Sequence, residues 1–165
     1  MGTGPGAPQV EVRIPGRVWA EEVERLRSGS AARQSAERER RRLERDGLSL
    51  TQLIACDPAG PGGTRLSGLF KVYVPISDEP ASQRPFGFIF SPGVENGRPY
   101  LALVAFGERH PRPGTRAVYE RAHRHLHGRF PSQERTGLQG PAHTPRVQSP
   151  SLGGRRASER GGHQR

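Results

Sequence analysis

Residues 69–107 read LFKVYVPISDEPASQRPFGFIFSPGVENGRPYLALVAFG, and this stretch decides the fold. Phe70, Val72, Val74 and Ile76 alternate with Lys71 and Tyr73, the period of two expected of a half-buried strand. FGFIF, residues 86–90, supplies a second strand. SPGVENGR follows, and its Asn96-Gly97 dipeptide suits the positive-φ positions of a tight hairpin. PYLALVAFG, residues 99–107, is a third strand, nearly all apolar. It is expected at the centre of the sheet, buried on both faces.

Working outward toward the N-terminus, residues 1–9 are rich in Gly and Pro and are expected to be disordered. Val10, Val12 and Ile14 alternate with Glu11 and Arg13, giving a short strand ended by Pro15-Gly16. Residues 17–46 read as helix. Val18, Trp19, Val23 and Leu26 share one face, Ser28-Gly29-Ser30 breaks the run, and AARQSAERERRRLERDG resumes it. Glu and Arg three and four residues apart support this second helix, and Gly47 is expected just past its end. DPAGPGG, residues 57–63, is a loop.

On the C-terminal side, ERHPRPG at residues 108–114 is a loop. Thr115 is expected to cap a helix to about His127, with Val118, Ala122 and Leu126 on its apolar stripe and Gly128 as its stop. Beyond Pro131 periodicity disappears. The predicted architecture is α+β: a small antiparallel sheet of three to four strands, an N-terminal helix pair, a C-terminal helix and a disordered tail. The helices are expected on one face of the sheet. A single domain spans residues 10–131, and residues 132–165 form a disordered basic tail.

Composition fits one small domain with tails. The chain has 165 residues, 32% hydrophobic, with 22 Gly and 16 Pro. Its formal charge is +10, and all 26 basic residues except Lys71 are Arg. The excess lies in the C-terminal third, where residues 112–129 hold five Arg against Glu120. Such a charge favours phosphate or another anionic partner. Cys56 is alone, which excludes an internal disulfide and fits a reducing compartment. The stretch MGTGPGAPQ lacks the marks of a secretory signal, and no apolar run approaches membrane-spanning length, so a cytoplasmic location and no membrane partner are expected.

No P-loop, GxGxxG, GxSxG or CxxC motif occurs. GPGGTR, residues 60–65, lacks a following Lys-Ser/Thr and reads as a plain loop. His123 and His127 are four apart and could chelate a metal, but no cysteine or zincin glutamate accompanies them. The bland reading, a polar helix face near a helix C-terminus, is preferred, and no metal or cofactor is expected. Cys56 follows an apolar patch and reads as a buried thiol. More informative is a basic-aromatic set. Lys71 and Tyr73 share a sheet face, Arg109 and His110 follow the end of the central strand, and Tyr119 lies on the last helix. Arg112, Arg116 and Arg124 add charge around it. Converging on one hollow, these residues suit a single RNA strand, with cations on phosphate and Tyr on a base.

The order of elements resembles the RelE/ParE superfamily of small bacterial toxins. VEVRIP precedes a helical pair running from WAEEVERLR to RRLERDG. LSGLFKVYVPI, FGFIF and PYLALVAFGERH follow as a three-strand meander. FGERHPRPGTRAVYERAHRHL then places a helix after the last strand. Where family members carry a lysine pair, this chain has Glu108, Arg109 and His110. The resemblance implies a toxin acting on RNA, in its fullest form a ribosome-dependent messenger-RNA endoribonuclease, with RNA or the ribosome and a small acidic antitoxin as partners. In such an enzyme His110 or Tyr119 would serve as base or acid, and Lys71 and Arg109 would hold the phosphate. Two alternatives stand beside it: a non-catalytic nucleic-acid-binding module with Arg112, Arg116 and Arg124 as phosphate ligands, and a protein-interaction domain.

Overall fold

A computed structural model describes residues 8–138; the expectations of disorder for residues 1–7 and 139–165 lie outside the described residues. Strand β1 covers Gln9–Arg13. Helix α1, Gly16–Trp19, runs directly into a π turn, Ala20–Glu24. The chain then breaks where the sequence suggests, with Gly29 at φ 78°. Helix α2, Ala31–Asp46, starts on the Ser30 side chain, which accepts the Arg33 N–H, and stops at Gly47, φ 72°.

Two-residue strands β2, Leu48–Ser49, and β3, Ile54–Ala55, come next. The meander follows as β4, Phe70–Val74; β5, Phe86–Glu95; and β6, Arg98–Glu108. Asn96 and Gly97 both take positive φ at its turn, 50° and 73°.

The expected antiparallel sheet of three to four strands is corrected on two counts. The sheet has six strands in the order β2-β1-β6-β5-β4-β3. It is also mixed, because β1 runs parallel to β6 while every other pair is antiparallel. The physical reasons are plain. Strands of two residues are too short to show a period. The helices return the chain as β2, antiparallel on the outer side of β1, and the chain then re-enters at the opposite edge as β3, so the meander brings β6 back beside β1 in parallel.

The expectation of helices on one face is also corrected, since apolar side chains leave the sheet in both directions. Phe86, Phe88, Phe90, Val72, Val74, Leu101, Leu103 and Phe106 pack with Trp19, Val23, Ala36 and Leu43 from α1, the π turn and α2. Ile89, Ala105 and Val104 instead pack with Val118 and Ala122 of helix α3, Val118–His127. A bulge in β6 helps. Ile89 pairs with Ala105 but Phe90 with Leu103, so Val104 is the extra residue and joins Ala105 on the α3 face.

Helix α3 begins two residues later than expected. Thr115 belongs to a turn closed by its N–H on Arg112 O, and the Glu120 carboxylate accepts the Ala117 N–H at the helix start. Gly128, φ 78°, ends it as expected. Past Pro131 the chain forms one more helix, α4, Pro131–Leu138, where the sequence predicts none.

Candidate nucleic-acid interface

Helix α3 leaves part of its sheet face open, and Lys71, Tyr73, Arg109 and Tyr119, four of the predicted residues, gather there. On β4, Val72 and Val74 point into the core, so Lys71 and Tyr73 point the other way. Val118 and Ala122 hold α3 against Ile89 and Ala105, which brings Tyr119 to the same place. The Lys71 Nζ lies 5.4 Å from the Tyr119 ring centre and 5.7 Å from that of Tyr73. Ring faces attract a cation at such distances. Among the described residues no carboxylate pairs with Lys71. Lys71, Tyr73 and Tyr119 are each half-buried, so the group is partly shielded and still reachable.

Arg109 adjoins them but is already engaged. Its guanidinium carbon stands 3.6 Å over the Tyr73 ring. One terminal nitrogen donates to Arg84 O at 2.7 Å and Ser82 O at 3.3 Å. The residue is 9% exposed, and its Nε–H is the one buried side-chain polar atom among the described residues with no partner. Its stem passes over Gly87, where a Cβ would stand in ordinary contact at 3.7 Å from Arg109 Cγ. Arg109 therefore fastens the 81–85 loop to the sheet and holds the Tyr73 ring.

His110 is exposed just beyond. It opens with Arg84, Arg109 and Arg112 onto a cleft of about 810 Å³. Arg84 is tied by a bond to Tyr73 O, whereas Arg112 is exposed. Arg116 and Arg124 lie elsewhere. Their guanidinium carbons sit 4.3 and 5.2 Å from the Phe130 ring centre, and Arg116 also bonds Glu120 and Ser132. The structure thus brings Lys71, Tyr73, Arg109 and Tyr119 together, sets His110 and Arg112 in the adjoining cleft, and puts Arg116 and Arg124 beside Phe130.

The three histidines of α3 are fixtures of its packing. His123, 0% exposed, accepts the Arg65 N–H on Nδ1 at 3.0 Å, so its hydrogen sits on Nε2, which donates to Glu134 Oε1 at 3.1 Å. His127 Nε2 meets Arg65 O at 3.1 Å. His125 faces the opposite flank, with Nε2 2.8 Å from Glu22 Oε1. Among the described residues no group of three or more His, Cys, Asp and Glu could hold a metal ion. Burial pushes the Cys56 thiol up to about 11, despite the nearby charge of Lys71, which keeps it a thiol at neutral pH.

Sequence reasoning missed Glu22. Its side chain is 0% exposed and stitches three elements. β1 pairs with β6 only as far as Ala102, leaving the far edge of β6 without a strand beside it among the described residues. There Glu22 accepts the Phe106 N–H at 3.4 Å, takes two bonds from Arg121 at 2.6 and 3.0 Å, and meets His125. Burial opposes its charge, yet bonds from His125 and Arg121 hold it down at about 2. A signal existed: Glu22 is four residues from both Val18 and Leu26, inside the apolar stripe of its own helix.

Comparison with family models, with curated proteins and with solved structures gives no match.

Proposed function

We propose that this protein binds a single strand of RNA on the open part of the α3 face, as a RelE-like protein acting in the cytoplasm. One observation carries the reading: Lys71 stands between two tyrosine rings with no carboxylate paired to it among the described residues, beside a cleft edged by His110 and Arg112. A phosphate needs the cation, and a splayed base needs a ring to stack on. Arg109 supports the floor, since its guanidinium is spent on carbonyls and the Tyr73 ring. No helix among the described residues is long and apolar enough to cross a membrane.

The test is fluorescence anisotropy with a labelled single-stranded RNA and the full chain. Base stacking contributes about 1–3 kcal/mol per base, so Tyr119→Leu is expected to weaken binding about tenfold or more. Equal affinity for the variant and the parent protein would dismiss the reading.

Cleavage is a second reading, favoured by Tyr119 standing beside Lys71. The 2′-hydroxyl would attack the adjacent phosphorus while the P–O5′ bond breaks, leaving a 2′,3′-cyclic phosphate; one of Tyr119 and His110 would take the hydroxyl proton, the other would give a proton to the departing 5′-oxygen, and Lys71 would offset the charge gained by the phosphoryl oxygens. RNA should then be cut, and the same strand with 2′-deoxy sugars should stay whole. A small acidic partner protein, masking the basic surface, belongs to the same reading.

A further inference from the structure

We propose that the bound RNA strand runs on from Lys71 and Tyr119, past the bare edge of β4, into a groove between α2 and the turn at residues 75–78, where Arg41 holds a phosphate; the proposal rests on the RNA reading given above. The sheet leaves this path open. β3 pairs with β4 only at Lys71 and Phe70, so among the described residues no strand lies outside Val72–Val74. Three clefts adjoin along that edge. The first is the His110 cleft already described, and it meets the second at Arg84. The second, of about 470 Å³, is lined by Val72 and Tyr73 of the bare edge and by Arg42 of α2. Tyr73 also belongs to the Lys71 group, which ties this cleft to the RNA site. The third, again about 470 Å³, shares Glu39, Arg42 and Pro75 with the second. To it α2 adds Arg38, Arg41 and Arg45, and the turn adds Ile76, Ser77 and Asp78.

Charge selects the ligand class. Seven arginines line the three clefts, against the carboxylates of Glu39, Asp78 and Glu108. Asp46, paired with Arg45, and Glu79, which accepts the Ile76 and Ser77 N–H groups, lie close by. Seven arginines still outnumber these five acids, with every histidine neutral. Arg42 is spent on Glu39, whereas Arg38 donates to Ile76 O, a carbonyl that cancels no charge. Arg41 is exposed and makes no hydrogen bond or ion pair among the described residues. The acids within helical reach of it, Glu37 and Glu44, are taken by Arg33 and Arg40. Arg38, Arg41 and Arg45 recur about one turn apart, a ladder with a rise of about 5.4 Å per turn. An excess spread over adjoining clefts suits a chain of single charges, and Tyr73 midway offers a ring to a base.

The experiment uses the full chain with a labelled RNA trinucleotide and a labelled RNA dodecamer, read by fluorescence anisotropy over a range of salt. The slope of log K against log salt should be steeper for the dodecamer by about 1.4 or more, two further phosphates at about 0.7 each. Extra binding registers on the longer strand raise K without steepening that slope. Arg41→Gln should take about 0.7 from the dodecamer's slope and leave the trinucleotide unchanged. Its folding midpoint should stay that of the parent protein, since the side chain bonds to nothing. Arg40→Gln, one residue away but lining a separate groove beside β1, should alter neither slope. Equal slopes for the two lengths, or an undiminished dodecamer slope in Arg41→Gln while Lys71→Gln still loses its share, overturn the extended path and leave the RNA reading standing. Binding of neither RNA overturns both. A twelve-residue oligo-glutamate held as tightly as the dodecamer, with the same dependence on Arg41, assigns the groove to an acidic protein segment and overturns the RNA path.

Discussion

Along α2, arginines find acids close by in the sequence: Arg33 meets Glu37, Arg40 meets Glu44, Arg42 meets Glu39 and Arg45 meets Asp46, at 2.6–3.0 Å. Arg38 donates to Ile76 O, and Arg40 lies over Trp19. Around α3 the pattern reverses. Glu120 is the helix's one acid, so Arg121, Arg124 and His125 must share Glu22 from the π turn, and Lys71 has no paired carboxylate among the described residues. Positive charge by itself therefore does not mark a ligand site. The useful mark is a cation whose local sequence and packing leave it without an acid.

The contrast breaks most visibly at Glu22. Glu22→Gln leaves Arg121 and His125 without their shared carboxylate, and removing one partner of a buried pair costs about 3–5 kcal/mol. Chemical denaturation should show that loss. Glu44→Gln, its counterpart in an exposed α2 pair, should shift stability by only about 0–1 kcal/mol. Similar values for the two would end the distinction.

Acid sharpens the same point. The folded value of Glu22, about 2, lies below its ordinary 4.5, so the unfolded chain binds the extra proton between them. Stability from this carboxylate is complete above about pH 4.5, falls as pH drops and is gone near pH 2. The swing is on the order of 3 kcal/mol. Denaturation midpoints across that window should fall less in Glu22→Gln than in the parent protein.

A smaller effect is expected at Arg109. Arg109→Met keeps much of the apolar stem but drops the bonds to Ser82 O and Arg84 O, costing about 1–3 kcal/mol. Faster amide exchange in residues 81–85 would accompany it. An unchanged exchange rate there would contradict the clamp.

The meander was legible because β4 alternates with a period of two, the cores of β5 and β6 are apolar runs of strand length, and the chain turns at Asn96-Gly97. The ends of α2 and α3 were legible too, since Gly47 and Gly128 take the positive φ those stops require. What escaped was non-local. The parallel pairing of β1 with β6 depends on the chain passing from β2 at one edge of the sheet to β3 at the other, and β2 and β3 are too short to show any period. α4 depends on Glu134 reaching Arg65 and His123, partners distant in sequence. The meeting of Lys71 with Tyr119 could be guessed from strand alternation and the helix stripe. The commitment of Arg109 to loop carbonyls could not, because Ser82 O and Arg84 O lie more than twenty residues away in sequence.

The most direct test of the pairing argument is the salt dependence of RNA binding. The slope of log K against log salt should lose about 0.7 in Lys71→Gln, one single-strand phosphate contact, and stay the same in Arg40→Gln. Equal slopes in all three proteins, or a larger loss from Arg40→Gln, would contradict it.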